Sequence, residues 1–419
     1  LDALETKSEE IALSMTKEMG KTLGESKGEI AKAVGEGRAT ADRAGAAIGE
    51  VLPSQIAGTI SYTFRRPRGV VLGINPWNFP FSTPLRKAIP ALLYGNAIIQ
   101  KPATISPGPL LMMRDIASDF FPKGLFDVVV GGGAIGQSLC EHQDINAVSF
   151  TGSVNVGRKV AIAAVSHFAE VSLELGGKNP HIIFENSDID AAIDNAVTGA
   201  FLHSGQVCSA GTRVLVEKSI HDRVVTEIVR RAKAIYVGGP DDPGTETGPL
   251  ISKDHLAKVE TYMQDAVKDG ATILVGGSRI DREDLNKGWY FPPTVIDNCQ
   301  SKMKCVQDES FGPIMTIETF ETVEEAIALG NDTIYGLSGA VWCADKKIAN
   351  RVAGALRHGT IWVNDFGPYR PQAEWGGFKA SGVGRELGEA GLDEYLEIKH
   401  IWTNNEPSKS GWFSDRGDG

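Results

Sequence analysis

Apolar residues return at helical spacing through residues 1–48, and the pattern is interrupted at Gly20-Lys21-Thr22, so helices broken at that tripeptide are expected. The opening Leu1-Asp2-Ala3-Leu4 runs without an N-cap into Glu9-Glu10-Ile11-Ala12-Leu13 and reads as the middle of a helix, which implies that something precedes it. Two strands around a turn follow: residues 59–64 and 70–74 are apolar and β-branched, and Arg65-Arg66-Pro67-Arg68-Gly69 separates them. Beyond them the pattern switches repeatedly between strand and helix. Residues 97–100, 126–130, 147–150 and 171–175 read as strands, and 107–119, 133–141 and 153–165 as helices. That alternation predicts βαβ units on a parallel sheet. A second alternating stretch covers 177–379, and the ending, 380–419, turns polar and glycine-rich.

Composition narrows the class. A chain of 419 residues is too long for one ordinary core, so two or three domains are expected. The net charge of -11 argues against nucleic acid or an anionic membrane as partner, and no apolar run reaches the roughly 18 residues of a membrane span. The cysteines at 140, 208, 299, 305 and 343 are odd in number, widely spaced and contain no C-x-x-C pair. They predict a reduced, cytoplasmic protein with neither a disulfide frame nor a zinc site.

Two loops have the form of a phosphate cradle. Gly131–Gly136 satisfies G-x-G-x-x-G after a strand, yet the acidic residue expected about 20 positions later is missing. Gly152-Ser153-Val154-Asn155-Val156-Gly157 also follows a strand and opens a helix, whose free N–H groups suit a pyrophosphate. Either loop alone is most simply a strand-to-helix turn; two in consecutive units favour a nucleotide site. Cys208 in Gly205-Gln206-Val207-Cys208 offers a nucleophile, and Glu174, 34 residues upstream, offers a base. A thiol and a carboxylate alone leave redox and hydrolytic chemistry both open. A cysteine in such a turn is commonly just a small buried hydrophobe, the reading kept for the other four.

Pro76-Trp77-Asn78-Phe79-Pro80, Lys101-Pro102, Phe150-Thr151-Gly152-Ser153, Glu174-Leu175-Gly176-Gly177-Lys178, Gly205–Cys208 and Glu309-Ser310-Phe311-Gly312-Pro313 occur in that order. Together they resemble the NAD(P)-dependent aldehyde dehydrogenase superfamily over essentially the whole chain. The resemblance implies an α/β fold: a Rossmann-like cofactor domain (1–48 and 68–176), an α/β catalytic domain (177–379), and a small β oligomerisation arm with a tail (49–67 and 380–419). The family usually extends further at the N-terminus, so the chain looks shortened, and its arms pair between subunits, so a homodimer or homotetramer is implied.

The resemblance also assigns roles. Cys208 would attack the aldehyde, with the Asn78 amide and the Cys208 N–H binding the oxyanion. Glu174 would activate water, with Lys178 in a proton relay. Trp77, Lys101, Thr104, Gly152, Ser153, Gly157, Glu309 and Phe311 would contact NAD or NADP. Thr104 stands where NAD-preferring relatives usually carry glutamate, so the repulsion of a 2′-phosphate is absent and NADP acceptance is expected.

For the substrate, the segment Pro371–Lys379 with Ser381–Glu389 resembles betaine aldehyde dehydrogenases, where a tryptophan at the position of Trp375 helps enclose a trimethylammonium group. Phe79 and Leu202 replace frequent aromatic walls of that enclosure. Arg86 stands where a tryptophan is usual, and an arginine facing the tunnel would instead pair with a carboxylated semialdehyde such as succinate semialdehyde. A Glu-Lys-Cys hydrolase built on Glu174, Lys178 and Cys208 is the competing class; it would leave the 152–157 loop and the 76–80 motif without a purpose. A non-catalytic form with a weakened cofactor domain is a third reading.

Overall fold

In the computed structural model, residues 1–45 and 49–413 are described; 46–48 and 414–419, the ends of two expected segments, lie outside the described residues. The helix break at Gly20-Lys21-Thr22 is real. Helix Ser8–Met19 stops at Gly20 in the left-handed region (φ 74°), where only glycine is free of a Cβ penalty. Thr22 then caps helix Leu23–Ala41 in a capping box with Glu25. The apolar faces of these helices, Ile11, Met15, Ile30 and Val34, bury against Phe81 and Leu85.

Helix Ser82–Leu93 was not evident in the sequence, because Pro84 and Pro90 lie inside it. Pro84 sits in the first turn, where its missing N–H would have had no intrahelical partner in any case. The helix matters because it carries Arg86 and Lys87.

Three sheets organise the rest. The first has six strands in the order Gly382–Val383, Glu170–Glu174, Ala147–Thr151, Val70–Ile74, Ala97–Lys101 and Phe126–Val128, all parallel except the first. The chain starts it at the central strand Val70–Ile74, moves out to Phe126–Val128, then crosses back to Ala147–Thr151. The strand order therefore reverses between Val70–Ile74 and Ala147–Thr151, and ligands of open α/β sheets bind at such a switch point. The second sheet has seven strands, with Pro180–Ile183 between Arg213–Glu217 and Ser338–Trp342. Its inward side chains, among them Ile183, Val214, Val216 and Ala340, are fully buried, as expected of parallel strands covered on both faces. The third is an antiparallel arm of Gly49–Leu52, Thr59–Pro67 and Leu396–Asn404.

The 380–419 segment, expected to belong with the arm, is divided. Gly382-Val383 pairs with Glu174-Leu173 in the six-stranded sheet, and only Leu396–Asn404 joins the arm. The division has a packing cause: Ser381 Oγ donates to Gly176 O at 2.6 Å and anchors the segment beside the end of the Glu174 strand.

Candidate active site

A cleft of about 970 Å³ opens where the six- and seven-stranded sheets meet, and Cys208 and Glu174 both line it. Among the five cysteines Cys208 alone is partly exposed; the other four are buried. Its loop is tightly specified. His203 and Ser204 hold positive φ (52° and 54°), an uncommon state for residues with side chains. The His203 N–H donates to Glu25 Oε1 at 2.8 Å, and the Ser204 N–H to Thr247 Oγ1 at 2.9 Å. Asn179 Nδ2 donates to the Cys208 carbonyl at 2.8 Å. The thiol itself is pushed up to about 12, mainly by burial, then by the charges of Glu309 and Glu174, so it rests protonated.

Glu174 is buried, and its Oε1 has no hydrogen-bond partner among the described residues. An unsatisfied buried carboxyl is costly in a structural role and useful at a reacting centre. Burial first, and then the nearby carboxylate of Glu386, raise its pKa well above the ordinary value, with Lys87, Arg86 and Arg385 opposing. Glu386 is itself anchored by Lys87 at 2.5 Å, and Lys87 also donates to Thr151 Oγ1 at 2.7 Å. Lys178, expected in a proton relay with Glu174, makes no direct hydrogen bond to that carboxyl. Its ammonium points to Tyr262 Oη at 3.2 Å, whose hydroxyl in turn donates to the Cys305 carbonyl. The cations bonded to Glu386 are Lys87 and Arg86, and nothing in the sequence marks Lys87.

Asn78 is buried, and its Nδ2 donates to the Gln206 carbonyl at 2.9 Å, so the amide faces the nucleophile loop. Its backbone is pinned from below. Lys21 Nζ donates to Asn78 O at 2.9 Å and to Glu29 Oε2 at 2.6 Å, while Glu29 Oε1 accepts the N–H groups of Phe81 and Ser82. Both charged side chains are about 1–2% exposed. Removing one partner of such a pair strands the other charge in the core. Lys21→Met is therefore expected to lower stability by about 3–5 kcal/mol, read as a shift in the denaturant midpoint. A change below about 1 kcal/mol would show that Glu29 finds another partner.

The nucleotide side of the cleft lies at the switch point. Helix Val154–Val165 begins at Ser153 with no side-chain cap, so its first N–H groups are open to an anion; Gly152 and Ser153 line the cleft. Gly157 is buried where a Cβ would lie 2.6 Å from Leu175, which lets the helix pack close to the strand end. Glu309 Oε1 accepts the Gly177 N–H at 3.0 Å, and a Cβ at Gly176 would lie 2.1 Å from Glu309 Oε2. Gly176 thus makes room for that carboxylate and Gly177 donates to it, and burial raises its pKa to about 7. Trp77 and Phe311 meet edge-to-face with ring centroids 5.4 Å apart, and His255, unnoticed in the sequence, completes the wall by donating from Nε2 to Phe311 O at 2.7 Å. A Phe311 carbonyl can only accept, so Nε2 carries the proton there. Lys101 is buried with Nζ 3.2 Å from Pro102 O, and Thr104 is exposed; neither lines the cleft. The Gly131–Gly136 loop also lies away from it: its helix, Gly133–Cys140, packs Gly136 against the Lys101 side chain. An open helix N-terminus, a buried carboxylate admitted by Gly176 and an aromatic wall at a switch point fit a dinucleotide.

On the opposite side, Phe79, Leu202 and Trp375 line the cleft as expected. Trp375 is buried against Tyr369, with ring centroids 4.3 Å apart, and Trp362 stacks 6.4 Å away. Tyr369 went unremarked in the sequence; its hydroxyl donates to Ser209 Oγ at 2.8 Å, next to Cys208. Arg86 also lines the cleft, but its charge is already committed. It pairs with Glu36 at 2.8 Å and with Glu386 at 3.3 Å, so the guanidinium is not free to bind a substrate carboxylate.

Residues 1–401 match the aldehyde dehydrogenase family. The chain belongs to that family. It is accordingly an NAD(P)-dependent oxidoreductase. It is similar to betaine aldehyde dehydrogenase of Bacillus subtilis, 45% identical over 97% of this chain and 83% of the relative. It is also similar to 4-trimethylaminobutyraldehyde dehydrogenase of Rattus norvegicus, 42% identical over 82% of this chain and 70% of the relative. Among solved structures, betaine aldehyde dehydrogenase of Staphylococcus aureus in complex with NAD+ superposes with a TM-score of 0.97 at 44% identity, covering 99% of this chain and 82% of that one. The described residues contain no gathering of three or more His, Cys, Asp or Glu side chains fit for a metal, and no helix long and apolar enough to cross a membrane.

Proposed function

We propose that this dehydrogenase oxidises a small trimethylammonium aldehyde, of the betaine aldehyde type, to its acid. The observation that carries the chemistry is that Cys208 and Glu174, a carboxyl whose buried Oε1 has no hydrogen-bond partner among the described residues, line one cleft. Cys208 Sγ bonds the carbonyl carbon, and the oxygen becomes an oxyanion within reach of the Asn78 amide. Losing one such donor typically costs on the order of 3 kcal/mol. Gly152, Ser153, Glu309, Phe311 and Trp77 would hold the nicotinamide cofactor, which supplies the hydride acceptor when bound. The sulfur then carries a thioester, and Glu174, once ionised, removes a proton from the water that cleaves it.

The substrate choice is supported by the Trp375–Tyr369 pair, whose π faces suit a quaternary ammonium. It is also supported by the two named relatives. The carboxylated-semialdehyde alternative rested on a free Arg86, and both carboxylates bound to that arginine weaken it. Thr104, exposed and neutral, supports use of NADP+ as well as NAD+. Reduced cofactor should form, read by absorbance, with betaine aldehyde several-fold more efficiently than with succinate semialdehyde, and with either cofactor. A preference for the semialdehyde would overturn the substrate reading, and turnover with NAD+ alone the cofactor reading.

A further inference from the structure

The cleft holds an ammonium to which neither the motifs nor the mechanism assigns a task. Lys32, on helix Leu23–Ala41, places Nζ over the Tyr369 ring, 3.5 Å from its centroid. Its nearest carboxylate oxygen, Glu36 Oε1, is 3.7 Å away and has no hydrogen-bond partner, so Lys32 rests on the ring in preference to a hydrogen bond. The other oxygen of Glu36 is held by Arg86, whose guanidinium carbon stands 5.8 Å from the same ring. Lys32 keeps 42% of its side chain accessible, and it lines the cleft. Desolvation lowers its pKa to about 8, with Arg86 adding to the effect and Glu36, Cys208 and Glu29 opposing. It is cationic at neutral pH.

A ring binds a cation through one quadrupole, and two cations on the same ring repel each other. We propose that Lys32 is the charge-selecting residue of the aldehyde site: its ammonium occupies the Tyr369 ring and competes there with the cationic end of a trimethylammonium substrate. The inference rests on the aldehyde dehydrogenase reading of the cleft and deepens it. Lys32 then acts as a resident occupant, which a quaternary ammonium must displace and a neutral aldehyde need not. Tyr369 is tied to Ser209 beside the nucleophile, so competition at the ring is felt close to the reacting carbon.

The test compares betaine aldehyde with its uncharged carbon isostere, 3,3-dimethylbutanal, in wild type, Lys32→Gln and Lys32→Arg, with thermal unfolding to verify the fold. The ratio of kcat/KM for the cationic over the neutral aldehyde should rise on the order of three- to tenfold in Lys32→Gln and stay near wild type in Lys32→Arg. An unchanged ratio in Lys32→Gln overturns the proposal, as does a loss confined to succinate semialdehyde, which would make Lys32 an anchor for anions. If wild type oxidises neither isostere, the substrate reading fails separately. Quenching of tryptophan fluorescence by tetramethylammonium then still decides the matter: tighter binding to Lys32→Gln supports the competition, and equal binding refutes it.

Discussion

Cys208→Ala should abolish aldehyde oxidation, with kcat falling about 10⁴-fold or more, while the folded protein and its nucleotide affinity persist. The size of the effect follows from the chemistry. Without sulfur there is no tetrahedral adduct to oxidise and no thioester to hydrolyse, so both halves of the reaction lose their covalent partner. The fold should tolerate the change because Cys208 is partly exposed at a loop held by its neighbours: by Glu25 at His203, by Thr247 at Ser204 and by Asn179 at the Cys208 carbonyl, none of which needs the thiol. Steady-state absorbance and calorimetric titration of NAD+ on the same preparation check it. Retained turnover in the alanine variant would require a different nucleophile and would overturn the role of Cys208. Because burial pushes the thiol up to about 12, the wild-type reaction also has to remove a proton before the C–S bond can form.

Glu174→Gln should separate the two halves. One equivalent of NADH per competent site should appear in a burst after rapid mixing, followed by steady turnover slowed about 10²- to 10⁴-fold, the range of a lost general base. A glutamine can occupy the space but cannot accept the water proton. The pH profile gives an independent readout. The folded pKa of Glu174 is raised by burial and by Glu386, so the ionised form becomes available only as pH climbs through that raised value. Thioester hydrolysis should therefore increase with pH in the wild type, and that acidic limb should disappear in Glu174→Gln. A variant with wild-type steady state and no burst would remove Glu174 from the hydrolytic step.

The sequence announced the site where its chemistry is written in short contiguous runs. Glu174 through Gly177 can be read because the strand end, the base, the glycine that admits Glu309 and the glycine that donates to it are consecutive. The helix opening at Gly152-Ser153 is legible for the same reason: a strand, a glycine turn and a helix start adjoin in the chain. What escaped is what folding assembles from afar. Lys87 meets Glu386 across 299 positions, and Lys21 reaches Asn78 across 57; each looks in isolation like a solvated surface charge. Arg86 was correctly placed at the cleft, but its two carboxylate partners come from another helix and from the far end of the chain. Lys178 sits in the expected motif and turns to Tyr262 because burial leaves that hydroxyl as its partner. Tyr369 and Lys32 belong to no motif at all, and only the folded chain sets one over the other.

The strand Gly382–Val383 has a consequence for how the molecule is made. The six-stranded sheet opens at Val70, yet its last strand is supplied more than three hundred residues later, after every strand of the seven-stranded sheet. The arm is bound in the same way, since Thr59–Pro67 waits for Leu396–Asn404. A chain emerging from the ribosome N-terminus first can complete the seven-stranded sheet while the six-stranded sheet and the arm each lack a strand at one edge. The strand that carries Glu174 is covered on that side only once Gly382 and Val383 have been made, so that edge of the cleft closes after both larger sheets have begun to form.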